Sequence, residues 1–177
     1  MKSITSPLVV AATMGTALVL GTSTAALAAV TVKAQPTASF DGASVTVSGG
    51  NFSGLGNIPA FGQVTATGQA NYDCTNPSGK VVPGQIPVAA QAGVSPREEL
   101  KTDKNGRATL DPITATVTAP PTPSAQQVGC GGTGNTQWTV VLRSLVATGA
   151  HLVITQDSQQ VYCRDYTLGG SATGAAC

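Results

Sequence analysis

Charged and aromatic side chains are both scarce in this chain. Of its 177 residues, 10% are charged and 4% aromatic, with 1 His and 1 Trp. Charge so far below the usual quarter excludes a coiled coil or a helical bundle laced by ion pairs. A net charge of +1 offers no electrostatic footprint for a nucleic-acid backbone. The single His leaves few partners for a zinc ion, and no Cys-x-x-Cys spacing makes up the difference, so no metal is expected. No stretch after the amino-terminal region carries a long apolar run or a stripe of 3.6-residue period. What is plentiful is Gly (21), Pro (11) and Thr: a neutral composition suited to strands and turns.

The first 28 residues read as an export signal. Lys2 supplies a minimal positive start, Leu8 to Leu20 an apolar run, and Ala26-Leu27-Ala28 the small-x-small pattern of a cleavage site. About 13 apolar or small residues are too few to cross a hydrocarbon core of about 30 Å. The expected products are a signal peptide (1–28) and a single exported domain (29–177) with no transmembrane segment. Loss of Lys2 equalises the basic and acidic side chains.

All four cysteines, Cys74, Cys130, Cys163 and Cys177, lie in the mature part, and export to an oxidising compartment makes two disulfides the expectation. Three connectivities exist. The Gly- and Ser-rich segment between Cys163 and Cys177 folds back easily, which favours Cys163–Cys177 and hence Cys74–Cys130. Closing the longer loop is worth about 3–4 kcal/mol on the loop-entropy account.

Along the mature chain the dominant period is two. Val64, Ala66, Gly68, Ala70, Tyr72 and Cys74 share one face, against Thr65, Thr67, Gln69, Asn71 and Asp73 on the other. Similar alternation runs through Val30 and Val32, Val45 and Val47, Ile113, Ala115 and Val117, and Trp138, Val140 and Leu142. Asp41-Gly42, Ser48-Gly49-Gly50, Asn76-Pro77-Ser78-Gly79, Pro83-Gly84, Asn105-Gly106 and Gly131-Gly132-Thr133-Gly134 punctuate these runs. The pattern predicts an all-β, antiparallel, immunoglobulin-like sandwich of about seven to nine strands, stapled by disulfides. Ala119-Pro120-Pro121-Thr122-Pro123-Ser124 cannot be a central strand and is expected to be an extended crossing loop.

Two segments, Asp41-Gly42-Ala43-Ser44-Val45-Thr46-Val47-Ser48-Gly49-Gly50-Asn51-Phe52 and Asp103-Lys104-Asn105-Gly106-Arg107-Ala108, resemble turn regions of small secreted immunoglobulin-like proteins of actinomycetes, distantly the neocarzinostatin-type apoproteins. The resemblance implies a sandwich with a ligand cleft, which in that group holds an enediyne chromophore. Disulfides in that group close short local loops, whereas Cys74 and Cys130 here are far apart.

Candidates for chemistry are few. His151 sits in a strand-like run, and no Gly-x-Ser-x-Gly elbow accompanies it. The carboxylates Glu98, Glu99, Asp103, Asp111, Asp157 and Asp165 could supply an acid–base pair, but Glu98-Glu99 reads as a solvated loop. Tyr72, Tyr162, Tyr166 and Trp138 are the polar-edged aromatics, and Trp138 is expected in the core. Asp103-Lys104-Asn105-Gly106 starts like a calcium loop but lacks its closing acid and reads as a turn. Asn51-Phe52-Ser53 fits a glycosylation sequon, yet in a bacterial-looking chain it reads as the bend after the Val45–Val47 strand. Sparse charge leaves an edge residue such as Thr116 open to strand addition.

The expectation is therefore a secreted, extracellular, non-catalytic binding or structural domain with no cofactor. Its candidate partners are a cell-envelope component or a second copy, and the ligand is unassigned. The alternatives are carriage of a small apolar ligand and proteinase inhibition through Pro96-Arg97-Glu98 or the stretch after Cys130.

Overall fold

The computed structural model describes residues 30–131 and 137–177. The signal segment and most of Gly131-Gly132-Thr133-Gly134 lie outside the described residues. Strands β1 (Thr31–Asp41), β2 (Ser44–Ser53) and β3 (Ala60–Thr75) come first. Four short pieces follow: β4 (Val81–Pro83), β5 (Val88–Ala89), β6 (Gly93–Val94) and β7 (Glu98–Leu100). The chain continues through β8 (Ala108–Thr116), β9 (Thr139–Gln156), β10 (Gln159–Thr167) and β11 (Ala175–Ala176). No described residue is helical.

Two antiparallel sheets result, one ordered β1-β2-β8 and the other β11-β10-β9-β3-β4, with β5, β6 and β7 also paired to β3. The protein is thus an all-β sandwich stapled by two disulfides. The eleven strands exceed the predicted number because one edge is broken. Along the free side of β3, Val81 faces Thr75, Val88 faces Ala70, Val94 faces Thr65 and Leu100 faces Ala60. Strands β4 to β7 are therefore a single returning path, and Pro83, Pro87 and Pro96 fall at its breaks, where no ladder N–H is available.

The long pairing of β3 with β9 runs from Ala60 opposite Gln156 to Thr75 opposite Thr139. Alternation along β3 is as the sequence predicts, with Val64, Ala66, Ala70, Tyr72 and Cys74 buried. Over the first half of this pair, Val64, Ala66, Leu152 and Ile154 meet Val45, Val47, Phe52, Ile113 and Ala115 of the smaller sheet. The smaller sheet does not cover the second half. There Ala70, Tyr72 and Cys74 pack under Ala125, Val128 and Cys130, so the Pro-rich segment acts as a strap. Backbone bonds from Gln85 and Ile86 to the Val128 carbonyl (2.8 and 3.1 Å) hold the strap, and the Cys74–Cys130 disulfide locks it to β3. Trp138 is half-buried against this second cluster and not enclosed in it. Leu142 is 40% exposed because a register shift of β9 beside it breaks the alternation that began at Trp138.

Both edges of the smaller sheet are covered. On one side the Ala38 N–H donates to the Ala172 carbonyl (2.9 Å). On the other, Gln91 bridges to Thr118, and Gly93 packs so closely that a Cβ there would lie 1.9 Å from the Thr116 carbonyl oxygen. Thr116 is thus not the open edge position that the sequence suggested. The outer face of this sheet carries paired hydroxyls, Ser44 with Thr116 and Thr46 with Thr114, each at 2.8 Å. The Cys163–Cys177 disulfide fixes β11 to β10. No helix among the described residues is long and apolar enough to cross a membrane.

Two stability outcomes follow. Gly93→Ala should cost about 2–4 kcal/mol, because backbone must move off Thr116, whereas Ser48→Ala on the partly exposed face should cost under about 0.5 kcal/mol; chemical denaturation reads both. Replacing Cys74 and Cys130 together by Ala should cost about 3–4 kcal/mol and make the strap the first site cut in limited proteolysis.

Candidate binding cleft

The hairpin that joins β7 to β8 is built by its own sequence. Asp103 Oδ1 accepts the N–H groups of Asn105 (2.8 Å) and Arg107 (2.9 Å), and the Gly106 N–H donates to the Asp103 carbonyl (2.9 Å). Gly106 has φ +68, and a Cβ on it would meet the Gly56 nitrogen at 2.7 Å. Glycine is therefore required twice over, by conformation and by contact. The Leu55 N–H donates to the Gly106 carbonyl (3.2 Å), docking the hairpin on the loop after β2. Because its carboxylate serves the turn, Asp103 is a turn acceptor, as the sequence indicated, and not the first ligand of a calcium loop.

Between this hairpin and the ends of β1, β2 and β8 lies a cleft of about 570 Å³. Its floor holds Asn51 and Thr109, whose hydroxyl donates to Asn51 Oδ1 (3.1 Å). Asn51 and Ser53 are strand residues of β2, which continues to Ser53 where the sequence suggested a bend. Glycines at positive φ, Gly49 and Gly50, with register shifts at Gly49, carry the strand through. Below the floor, Phe52 is buried with its ring edge-on to Tyr162 at 5.2 Å.

Lys33, Lys101 and Arg107 border the cleft, three of the nine Lys and Arg in the chain. Asp111 and Asp103 also line it, and the Asp103 carboxylate keeps its negative charge while it serves the turn. The Arg143–Asp73 ion pair and the His151–Asp165 contact both lie elsewhere. In a chain with so little charge this is a local concentration of ionised groups, three cations against two carboxylates, beside amide and hydroxyl groups. A space of this size suits a small ligand or a short stretch of polymer.

The other candidates are dispersed. Glu98 and Glu99 are exposed in strand β7 and do not form a loop, since that segment pairs with β3. Asp157 and Ser158 both have positive φ (48 and 62) and make the tight turn between β9 and β10. Arg97 lies 5.0 Å over the Phe61 ring and donates to Thr155 Oγ1 (2.9 Å). The Pro96-Arg97-Glu98 stretch is thus folded against the sheet, not held out as a reactive loop. Most of the stretch after Cys130 is outside the described residues.

Tyr72 and Tyr166 are buried. The Tyr166 hydroxyl donates to the Pro36 carbonyl (3.3 Å), and burial, reinforced by neighbouring Tyr162, pushes its pKa far above the ordinary range. Burial also raises that of Tyr162, whose hydroxyl donates to Gln35 Oε1 (2.6 Å). These rings are structural, which leaves no aromatic sugar-stacking platform among them. His151 stands on the outer side of β9 with its Nδ1 2.6 Å from Asp165 Oδ1 and 3.8 Å from Cys177 Sγ.

Comparison with family models, curated proteins and solved structures gives no match to this chain.

The Asp103 turn sets a pH expectation. Its carboxyl is held below the ordinary 3.8, first by the Arg107 N–H and further by that of Asn105. A lowered folded-state pKa gives a contribution present above the unfolded value and lost as pH falls through the folded one. The Asn105 and Arg107 amide shifts should therefore stay constant from neutral pH down to about pH 5 and then titrate together. A midpoint at or above 3.8 contradicts this geometry.

Proposed function

We propose that the protein is an exported, non-catalytic binding module whose contact surface is the cleft between the β7–β8 hairpin and the ends of β1, β2 and β8. The observation that carries this reading is the clustering of Lys33, Lys101 and Arg107, in excess over Asp103 and Asp111, around Asn51 and Thr109. Such a surface favours an anionic, hydroxyl-rich ligand, of the chemistry of a phosphate- or uronate-bearing envelope polymer. Two disulfides and sparse surface charge accord with an extracellular, cell-surface setting. A carrier with its apolar ligand between the sheets has less support, because Val45, Val47, Val64, Leu152 and Ile154 fill that space and are at most 1% exposed.

Retention on immobilised polyglycerol phosphate and polygalacturonate, beside a neutral glucan, tests the reading. The protein should bind the anionic polymers and be released as salt rises, since exposed charge pairs are screened. Replacing Lys33, Lys101 and Arg107 together by Ala should weaken binding roughly tenfold or more with an unchanged melting temperature. Equal retention on the neutral polymer, or indifference to the triple replacement, would overturn it.

A further inference from the structure

The outer side of the β9–β10 ladder brings together chemistry that is scattered in the sequence. His151 is directly opposite Asp165, and the ligand-capable atoms of His151, Asp165 and Cys177 lie within 4.8 Å of one another. Cys177 is bonded to Cys163, two residues before Asp165 on β10 and so on the same face. The carboxy-terminal segment is held in place by Arg164, whose Nε donates to the Thr173 carbonyl (2.6 Å). One sulfur, an imidazole and a carboxylate therefore share one accessible corner, and the Cys163 sulfur joins them through its bond to Cys177.

Zinc-class ions accept this donor set. Bond lengths of about 2.3 Å to sulfur and about 2.0–2.2 Å to nitrogen or oxygen place tetrahedral ligands roughly 3.5 Å apart for N and S, and roughly 3.4 Å for N and O. The observed Nδ1 to Sγ separation is 3.8 Å. The 2.6 Å contact between Nδ1 and Asp165 Oδ1 would have to open, which two side chains 43% and 53% exposed can do.

We propose that when Cys163 and Cys177 are in the dithiol form, they bind one thiophilic divalent cation together with His151 and Asp165. An external dithiol delivers two electrons and two protons, becoming a disulfide itself, while the Cys163–Cys177 bond breaks to two thiols. The cation then displaces both thiol protons to solvent and forms two metal–sulfur bonds. In the oxidised chain the same sulfurs are bonded to each other, so disulfide and metal exclude one another. The second disulfide stays out of this exchange, with Cys74 0% and Cys130 4% exposed. The proposal is independent of the cleft.

The test is titration with Co²⁺ under anaerobic conditions after mild dithiothreitol treatment of the folded protein, stopped when the intact mass has gained two hydrogens. The expected result is one Co²⁺ per chain with a thiolate-to-metal charge-transfer band, reversed by Zn²⁺ and missing in the oxidised protein. His151→Ala should weaken binding roughly tenfold or more, and Asp165→Asn should weaken it too. Both side chains lie outside the two cores, so the near-ultraviolet circular dichroism should match that of the parent. A reduced protein without the charge-transfer band, or His151→Ala binding Co²⁺ as the parent does, would overturn the proposal.

Discussion

The pairing of β3 with β9 is the interaction on which the rest of the structure depends. It carries most of the larger sheet, and its inner face contributes residues to both hydrophobic clusters. Burial at about 25 cal/mol per Å² of apolar surface is what makes such a ladder stable. Here that burial comes from two different covers, a three-stranded sheet over one half and a Pro-rich strap over the other. The strap's backbone bonds are mostly within itself, with the Val128 carbonyl accepting from Gln85 and Ile86, and the disulfide supplies the tie to the sheet that a ladder would otherwise give. The register shifts of β9 opposite Thr67/Gly68 and Asn71/Tyr72 let one strand serve both covers.

Breaking the β3 edge into four short pieces has a second effect. An unbroken strand would expose a row of N–H and C=O groups to any passing chain, and a protein with so few Lys and Glu lacks the usual electrostatic deterrent. Prolines at the breaks and the approach of Gly93 to Thr116 make that edge irregular and partly covered. The same irregularity carries the chain from one sheet to the other, so that β7 and β8 become neighbours and the cleft acquires a wall.

The sandwich was legible in the sequence because period-two alternation and turn residues are local signals. Val64 to Cys74 and the Asp103–Gly106 turn are clear examples. The broken edge was not legible: β5 and β6 are two residues long, too short to show any period. Nor was the cleft, since Lys33, Asn51, Lys101 and Arg107 lie on separate strands and loops and meet only through the pairing of β1, β2 and β8. Trp138 follows its aromatic size only in part: it packs on the second cluster from the side and stays partly accessible beside the strap. Spacing likewise concealed His151 and Cys177, which sit 26 residues apart and meet only because the chain turns back twice.

The hydroxyl pairs on the outer face of the smaller sheet bear on how the protein meets water. Ser44 with Thr116 and Thr46 with Thr114 satisfy each other, leaving a strip of that face that is polar without charge and presents methyl groups between hydrogen-bonded oxygens. Hydration of this strip does not rest on ionised groups. Its solvation should accordingly change little with pH or ionic strength, in contrast to that of the charged groups around the cleft.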